Sequence, residues 1–509
     1  MKACIIGTGL AGLTAGAYLA REGYEVALFE QFSEIGGVTA TLHKDGFSWD
    51  MGPLLLGGLG PHEIVGKVLI DLGLHDKLEL IFDDRGQILP DFQLWRPGEY
   101  QGPYWRREYL KKLFPDEAEG LNRYYDFYDR MMTLGALSER AEWATGIKSA
   151  ILKLRMLFSF MKVKKMMNWS ASEILDHFFN DHKLKAVFTG ILADFVVKPS
   201  EFPGLGIPFC NIETAFDKRI PLEIKGGKLP TYHYIKNGCE NIVKLLADFI
   251  KEKGGKIYTN SLVTKINIDK ETKKVQSITL ENGKLIATNL VMASGGPRKI
   301  WFDLVGKEYL PHDFIKNIEN LRMMESVLMV HIGIDFDPTP YQRKPLCYYY
   351  LTYDIEGAVD KCRAGDYHEG EEGFLIYIPS MHSPEMAPKG KHAVTVYTIA
   401  PDRLSKGNWE IRKEELANKL LAEAQKIIPG LKDEALFKLI MTPEDFRNRI
   451  HVNKHSFGGT APVLGQKNPP HRSPIKGLWY IGAYSENGGG FTGAVKGAWK
   501  TVKMILKEK

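Results

Sequence analysis

Long apolar runs are missing from this chain. No stretch reaches about 18 consecutive apolar residues, so a membrane-spanning helix is not expected. Cysteine is scarce: Cys4, Cys210, Cys239, Cys347 and Cys362 lie far apart with no C-x-x-C pair. That argues against a disulfide framework or structural zinc and fits free thiols in a reducing compartment. A net charge of +5 over 509 residues gives no argument for nucleic acid. There is no G-x-S-x-G elbow and no Walker loop, which leaves hydrolase and NTPase chemistry without support. The first apolar strand starts at residue 3, so no signal or transit peptide is expected. The expected location is cytoplasmic, with peripheral contact to a membrane left open.

What is present begins at once. Ala3, Cys4, Ile5 and Ile6 form an apolar run suited to a buried strand. Gly7, Gly9 and Gly12 follow as a G-x-G-x-x-G turn, Leu13 to Arg21 reads as a helix, and the apolar run from Glu25 to Phe29 ends on Glu30. This is a βαβ unit with an acid at the tip of its second strand. The first glycine makes the tight turn, the second lets a pyrophosphate approach the backbone, and the third lets helix and strand pack closely. The helix N-terminus offers free N–H groups to the anion. Glu30 would accept hydrogen bonds from a ribose diol and repel a 2′-phosphate, so an adenine dinucleotide is expected and NADP is disfavoured. At this length the chain should form two or more domains.

Gly36-Gly37-Val38-Thr39 and Asp50-Met51-Gly52-Pro53 come next. Paired glycines soon after the ribose-binding acid let backbone approach the cofactor a second time. The D-x-G-P turn suits a loop held beneath it. With these motifs the sequence resembles the FAD-dependent amine oxidase and phytoene desaturase superfamily, and further on Leu113 to Leu121 with the helix after it resembles the carotenoid isomerase and retinol saturase branch of that superfamily. The resemblance implies an α/β fold in which a Rossmann-like FAD-binding domain is interleaved with an α+β substrate domain. One departure stands out: relatives often carry Arg or Lys directly after G-G, and here that place is Val38.

The resemblance continues along the chain. The helix from Asn241 to Lys253, Gly254-Gly255, a strand from Lys256 and the segment Leu262 to Ile266 match the superfamily's return to the FAD domain. By that match, Val263 would contact the adenine through its backbone. Ala287 to Gly295 reads as a strand ending in small residues. Near the C-terminus, Gly477 to Ala483 reads as a strand, and Gly488-Gly489-Gly490-Phe491-Thr492-Gly493 opens a final helix. Its N–H groups and positive dipole would face the flavin ring in the resembled family. Together these features place the cofactor against Gly7, Gly9, Leu10, Ala11, Gly12, Glu30, Gln31, Gly37, Val38, Thr39, Gly52, Pro53, Val263, Ser294, Gly482, Gly490, Phe491 and Thr492.

Between these segments lies the expected substrate domain. Residues 76–110 carry Phe92, Trp95, Tyr100, Tyr104, Trp105 and Tyr109, readable as an apolar substrate entrance or as the packing of a β-rich insertion. Residues 301–433 alternate strands with a helix from Lys413 to Ile428, an antiparallel sheet with a helix against it. The expected division is FAD-binding for 1–75, 226–300 and 441–509, and substrate-binding for 76–225 and 301–440.

Within residues 146–170, Ile147, Ile151, Leu154, Phe158 and Met161 recur at helical spacing. Lys148, Lys153, Arg155, Lys162, Lys164 and Lys165 surround them. Such a helix suits an anionic lipid surface, or a domain-packing role with a solvated basic face.

Catalytic candidates are fewer. Glu486 is the first choice for proton handling, since it leads into the glycine-rich loop. Phytoene desaturases tend to carry His-Pro where this chain has Glu486-Asn487. Tyr484 and His455 follow. His451 and His455 are spaced i, i+4, but no third ligand accompanies them and no metal is expected. The expected activity is redox chemistry on carbon–carbon bonds of an isoprenoid or other long apolar lipid. A flavin amine oxidase and a non-catalytic flavin-stabilised lipid carrier are the alternatives. No second nicotinamide-binding fingerprint is evident, so the electron donor or acceptor is an unidentified outside partner.

Overall fold

The computed structural model describes residues 1–97, 104–218, 223–224 and 226–508, so Tyr100 lies outside the described residues. A five-stranded parallel sheet is assembled from distant parts of the chain. Its order is Lys256–Tyr258, Glu25–Phe29, Lys2–Ile6, Val291–Ser294, Leu478–Ile481. The central strand is buried along all but its first residue, as a strand covered on both faces must be. On one face pack the helices Leu10–Arg21, Glu240–Glu252 and Gly490–Lys507. The other face is covered by an antiparallel sheet of Val263–Ile268, Val275–Leu280 and Leu285–Ala287.

The first turn shows why glycine is needed. Gly7 has φ +90°, a left-handed conformation that side chains disfavour. A Cβ on Gly12 would lie 2.1 Å from the Gly7 carbonyl oxygen. The helix accordingly starts at Leu10, one turn earlier than the apolar spacing indicates.

The segment read as one strand from Ala287 is two pieces. Leu285–Ala287 belongs to the antiparallel cover, and Val291–Ser294 to the parallel sheet. Between them Thr288 donates its N–H to Gln276 O at 3.0 Å, and its hydroxyl accepts from Leu290 N at 3.3 Å. This local bonding turns the chain from one sheet into the other.

A second, seven-stranded sheet runs in the order Phe437–Met441, Ser326–Ile334, His392–Ala400, Gly373–Tyr377, Leu346–Tyr350, Gly86–Ile88, Gln93–Leu94. It is not wholly antiparallel, because Leu346–Tyr350 and Gly86–Ile88 pair in parallel. The irregular aromatic stretch thus supplies an edge of this sheet. Gly86 leaves no space for a side chain, since a Cβ there would sit 2.4 Å from the Trp95 ring. The helix Trp409–Gln425 covers one face.

A helical layer built from Trp105–Leu113, Ala118–Trp143, Gly146–Met161, Ala171–Phe178 and His182–Thr189 completes the molecule. Trp105 is buried and donates its indole N–H to Phe216 O at 3.0 Å, and Tyr104 packs on Tyr125. Trp105 and Tyr104 are thus packing residues. Helix Gly146–Met161 buries only Leu152 and leaves Ile147, Ile151, Leu154, Leu157, Phe158 and Met161 more than half exposed. Among the described residues no helix is long and apolar enough to cross a membrane.

Candidate functional site

A cavity of about 610 Å³ runs from the C-terminal edge of the parallel sheet towards the seven-stranded sheet. Open α/β sheets bind ligands at this edge, where loops leave the strand ends. Most of the expected cofactor residues meet there. Gly7, Gly9, Leu10, Ala11, Glu30, Gln31, Gly37, Val38, Thr39, Gly52, Pro53, Val263, Ser294, Gly482, Gly490 and Phe491 all line it.

Two expected contact residues stand behind the wall instead. Gly12 packs on Gly7, and Thr492 donates its hydroxyl to Gly57 O at 2.9 Å. Thr492 therefore fixes the glycine-rich loop rather than facing the cavity.

At the tip of Glu25–Phe29, Glu30 is 6% exposed. Its Oε2 accepts from Thr8 N at 3.1 Å and Thr8 Oγ1 at 2.5 Å, and its Oε1 accepts from Phe32 N at 3.1 Å. An ionised carboxylate has about four acceptor sites, so capacity for a ligand diol remains.

The Asp50 carboxylate accepts from Cys239 N at 2.7 Å and from the Thr41 hydroxyl at 3.1 Å. It holds the loop before helix Glu240–Glu252 under the D-x-G-P turn. Burial pushes the Asp50 pKa up to about 6 despite these donors.

Two features missed in the sequence complete the wall. Ser456 to Thr460 folds against the C-terminal glycine loop, with Gly490 N donating to Gly458 O at 2.9 Å. A Cβ on Gly489 would lie 1.6 Å from that same oxygen. The paired glycines at 458–459 were the available signal. The second is Arg449, 7% exposed, which donates Nε–H to Gly37 O at 2.8 Å. Its Nη2 is buried, has no partner, and belongs to a residue lining the cavity. No local sequence pattern announces it, because the contact spans most of the chain.

These observations fit FAD. A Cβ on Gly9, Gly488 or Gly490 would meet no atom within 4 Å, so backbone there stands open to the cavity. The helices from Leu10 and Gly490 start without a side-chain cap, leaving their first N–H groups for an anion or an electron-rich ring. The orphaned Arg449 nitrogen, on a guanidinium whose Nη1 lies 3.7 Å from Glu34, would supply the cation that Val38 does not.

The catalytic candidates separate. Tyr484 and His455 line the cavity. Tyr484 is buried, its hydroxyl oxygen accepts from Ser456 N, and its pKa is pushed up by burial. The His455 ring stacks on Phe446 at 4.7 Å, and its Nδ1 pairs with the Ser326 hydroxyl. Burial, with Arg447 nearby, lowers its pKa to about 3, so it is neutral at ordinary pH.

Glu486 does not join them. It is exposed, absent from the cavity wall, and 3.8 Å from His471 Nε2. Tight packing explains this. His471 donates Nδ1–H to Tyr480 O at 2.8 Å, leaving Nε2 to accept from the Asn487 amide, and this turns the loop outward. Among the described residues no cluster suits a metal ion.

Comparisons with known proteins agree with this geometry. The family described as flavin containing amine oxidoreductase matches residues 10–506. The chain is 24% identical to a 4,4'-diapophytoene desaturase (4,4'-diaponeurosporene-forming) of Staphylococcus aureus, covering 100% of this chain and 99% of the relative. Among solved structures, an oxidoreductase from Methanosarcina mazei aligns over 100% of both chains at 18% identity, with TM-score 0.61. Putrescine oxidase bound to putrescine aligns over 100% of this chain and 99% of its own at 12% identity, also with TM-score 0.61. Family match, fold and cavity agree that this chain belongs to the flavin containing amine oxidoreductase family and is an FAD-dependent oxidoreductase.

Proposed function

We propose that the enzyme performs redox chemistry on carbon–carbon bonds of a long apolar isoprenoid of carotenoid type, with desaturation the favoured direction. The observation that carries this reading is the far wall of the cavity, where Phe195, Phe202, Cys210, Met324 and Phe457 present no charge. Apolar walls favour a hydrocarbon chain. The desaturase relative supports the same substrate class.

Bound FAD supplies a hydride acceptor or donor. The chain's own residues do the rest. Phe195, Phe202 and Phe457 exclude water from the reacting chain. The N-terminus of Gly490–Lys507 directs a positive field to the glycine-rich loop. Tyr484 keeps its proton throughout the ordinary pH range and has its hydroxyl fixed by Ser456, so it is the group able to hold or pass a proton.

An amine oxidase needs an open aromatic cage for its substrate nitrogen. Here the aromatic cluster of Phe216, Tyr232 and Tyr348 lies outside the cavity wall and packs around the Arg85 guanidinium, at 4.7, 5.8 and 4.9 Å from the ring centroids, so it offers no open cage. This disfavours the amine reading.

Helix Gly146–Met161 supports peripheral membrane contact, since its apolar face is uncovered and flanked by lysines. Such contact would deliver a lipid-soluble substrate. The electron partner is external.

The decisive experiment is purification, a flavin spectrum, and mass spectrometry of extracted lipid. Bound isoprenoid and bleaching of the flavin by a phytoene-type polyene are expected. A protein that takes up no FAD, or that yields peroxide from polyamines and ignores polyenes, would overturn the proposal.

A further inference from the structure

His455 lines the cavity, yet the proton chemistry given to Tyr484 leaves it without a task. It sits in a segment pinned from both sides. Phe457 N donates to Glu325 O at 2.8 Å, just before the strand Ser326–Ile334 of the seven-stranded sheet. From the other side, Ser456 N donates to the Tyr484 hydroxyl, and Gly458 O accepts from Gly490 N at 2.9 Å. His455 is thereby fixed at the seam between that sheet and the glycine-rich loop.

The imidazole is held as firmly as the backbone. Its ring stacks on Phe446 at 4.7 Å, and its Nδ1 pairs with the Ser326 hydroxyl. Ser326 is fully buried, and among the described residues its hydroxyl has no other partner. A buried hydroxyl hydrogen left unpaired is costly, so Ser326 donates and Nδ1 accepts. Arg447 is the charge that acts on the ring, and it is bonded to Asp402 Oδ1 at 2.9 Å. The same oxygen accepts from the backbone N of His455 at 3.0 Å, so this carboxylate serves the main chain rather than the imidazole. In a neutral ring whose Nδ1 accepts, the proton lies on Nε2. Among the described residues Nε2 has no partner and is not sealed in by packing, so its N–H opens onto the cavity.

A donor in an apolar cavity needs an acceptor. A hydrocarbon chain offers none, whereas FAD offers carbonyl oxygens and ring nitrogens. A fixed donor aimed at that ring holds its reduced, more electron-rich form better than its oxidised form.

We infer that Ser326 locks His455 in its Nε2–H form and that this N–H donates to the bound flavin ring, raising the reduction potential of the cofactor. The choice of flavin over substrate as acceptor rests on the proposed hydrocarbon substrate, while the FAD itself comes with the family.

The test uses the purified FAD-loaded protein without substrate. Its flavin midpoint potential is read by reductive titration against a reference dye. His455→Leu should shift the balance towards oxidised flavin by about tenfold or more, the scale of a hydrogen bond to a charged group. For a two-electron couple that is about 30 mV. His455→Gln keeps an N–H donor and should recover part of the shift. Ser326→Ala leaves the ring in place but frees its tautomer, so the potential should fall by less than in His455→Leu. A merely structural His455 would instead lower FAD content or thermal stability while the flavin retained kept its potential. An unchanged midpoint in His455→Leu overturns the inference and leaves the lipid activity standing. An unchanged midpoint in Ser326→Ala overturns the lock by itself, so the test survives a His455→Leu protein that fails to fold. An unsubstituted protein that takes up no FAD overturns the inference and the proposed activity together.

Discussion

Arg449 donates its Nε hydrogen to the carbonyl oxygen of Gly37 at 2.8 Å, joining residues 412 positions apart in the chain. The contact brings a cation to the glycine doublet that approaches the cofactor. Its Nη2, buried and unpaired, is placed to meet an anionic group in the cavity. Arg449→Leu should weaken FAD binding by about tenfold, the scale of one charge-assisted hydrogen bond. Arg449→Lys should recover only part, because a point charge cannot serve Gly37 and the ligand together. Titration of apoprotein with FAD, followed by flavin fluorescence, measures both.

Gly12 supplies a different kind of prediction, since it touches no ligand. A Cβ there would lie 2.1 Å from Gly7 O, a backbone atom that cannot swing aside. Gly12→Ala must push the helix from the turn, at a cost of about 1–3 kcal/mol. The expected product is a folded but FAD-depleted protein with lowered thermal stability. Flavin absorbance per polypeptide checks this directly. A Gly12→Ala protein that stays fully yellow would show the turn to be more compliant than its geometry indicates.

Gly7 to Glu30 is legible from sequence because each element of that unit is local: strand, turn, helix and acid follow within thirty residues. The C-terminal glycine loop is legible for the same reason. What escapes reading depends on long-range contacts. Arg449 has no motif around it, and Gly86–Ile88 is too short a strand to show a period. The sequence pattern starts the helix Trp409–Gln425 at Lys413, four residues late. Asn408 caps it by accepting from Ile411 N at 2.9 Å, a signal outweighed in the sequence by charged residues that follow. Glu486 is suggested by its neighbourhood in sequence, but packing of His471 and Asn487 decides which way that loop faces.

The helix Gly146–Met161 carries its apolar residues into solvent, which a soluble contact surface alone would not favour. Ile151→Glu with Phe158→Glu should abolish flotation with anionic liposomes. Both side chains are exposed, so folding stability should change by no more than about 0.5 kcal/mol. Flotation and a thermal melt of the same preparation separate lost membrane contact from lost fold. Unchanged flotation would sink the proposed contact.

Asp194 gives the protein a pH signature. Its carboxyl has an ordinary value of 3.8 and is raised by burial to about 7 in the folded protein. Between those values the unfolded chain is ionised while the folded protein keeps its proton. Unfolding therefore releases a proton, and stability falls as pH rises through this window. Arg85 is the charge that acts on it, His368 and Glu372 line a small cavity with it, and burial keeps His368 uncharged and Tyr348, Tyr350 and Tyr397 neutral. Asp194→Asn removes the ionisation. Relative to the unsubstituted protein, the variant should gain roughly 2 kcal/mol between about pH 4 and pH 8, after discounting for partial solvent access. Denaturant titrations across that range would show the gain, and parallel stability curves for the two proteins would refute it.

Glu486 and Tyr484 are two residues apart and face opposite surroundings, which makes them a controlled pair. Glu486 is exposed and outside the cavity wall, while Tyr484 is 6% exposed, lines the cavity and is fixed by Ser456. Glu486→Gln keeps the shape and its contact with His471, so turnover of a polyene substrate should stay within about twofold, as for an ordinary surface change. Tyr484→Phe keeps the ring and removes only the hydroxyl. If that hydroxyl holds the proton of the reaction, turnover should fall about a hundredfold, the lower scale of general acid–base catalysis, with FAD content unchanged. Single-turnover bleaching of the flavin measures the step apart from substrate uptake. A large loss in Glu486→Gln with none in Tyr484→Phe would mean that the loop turns inward when substrate binds, and that the proton passes through the carboxylate instead.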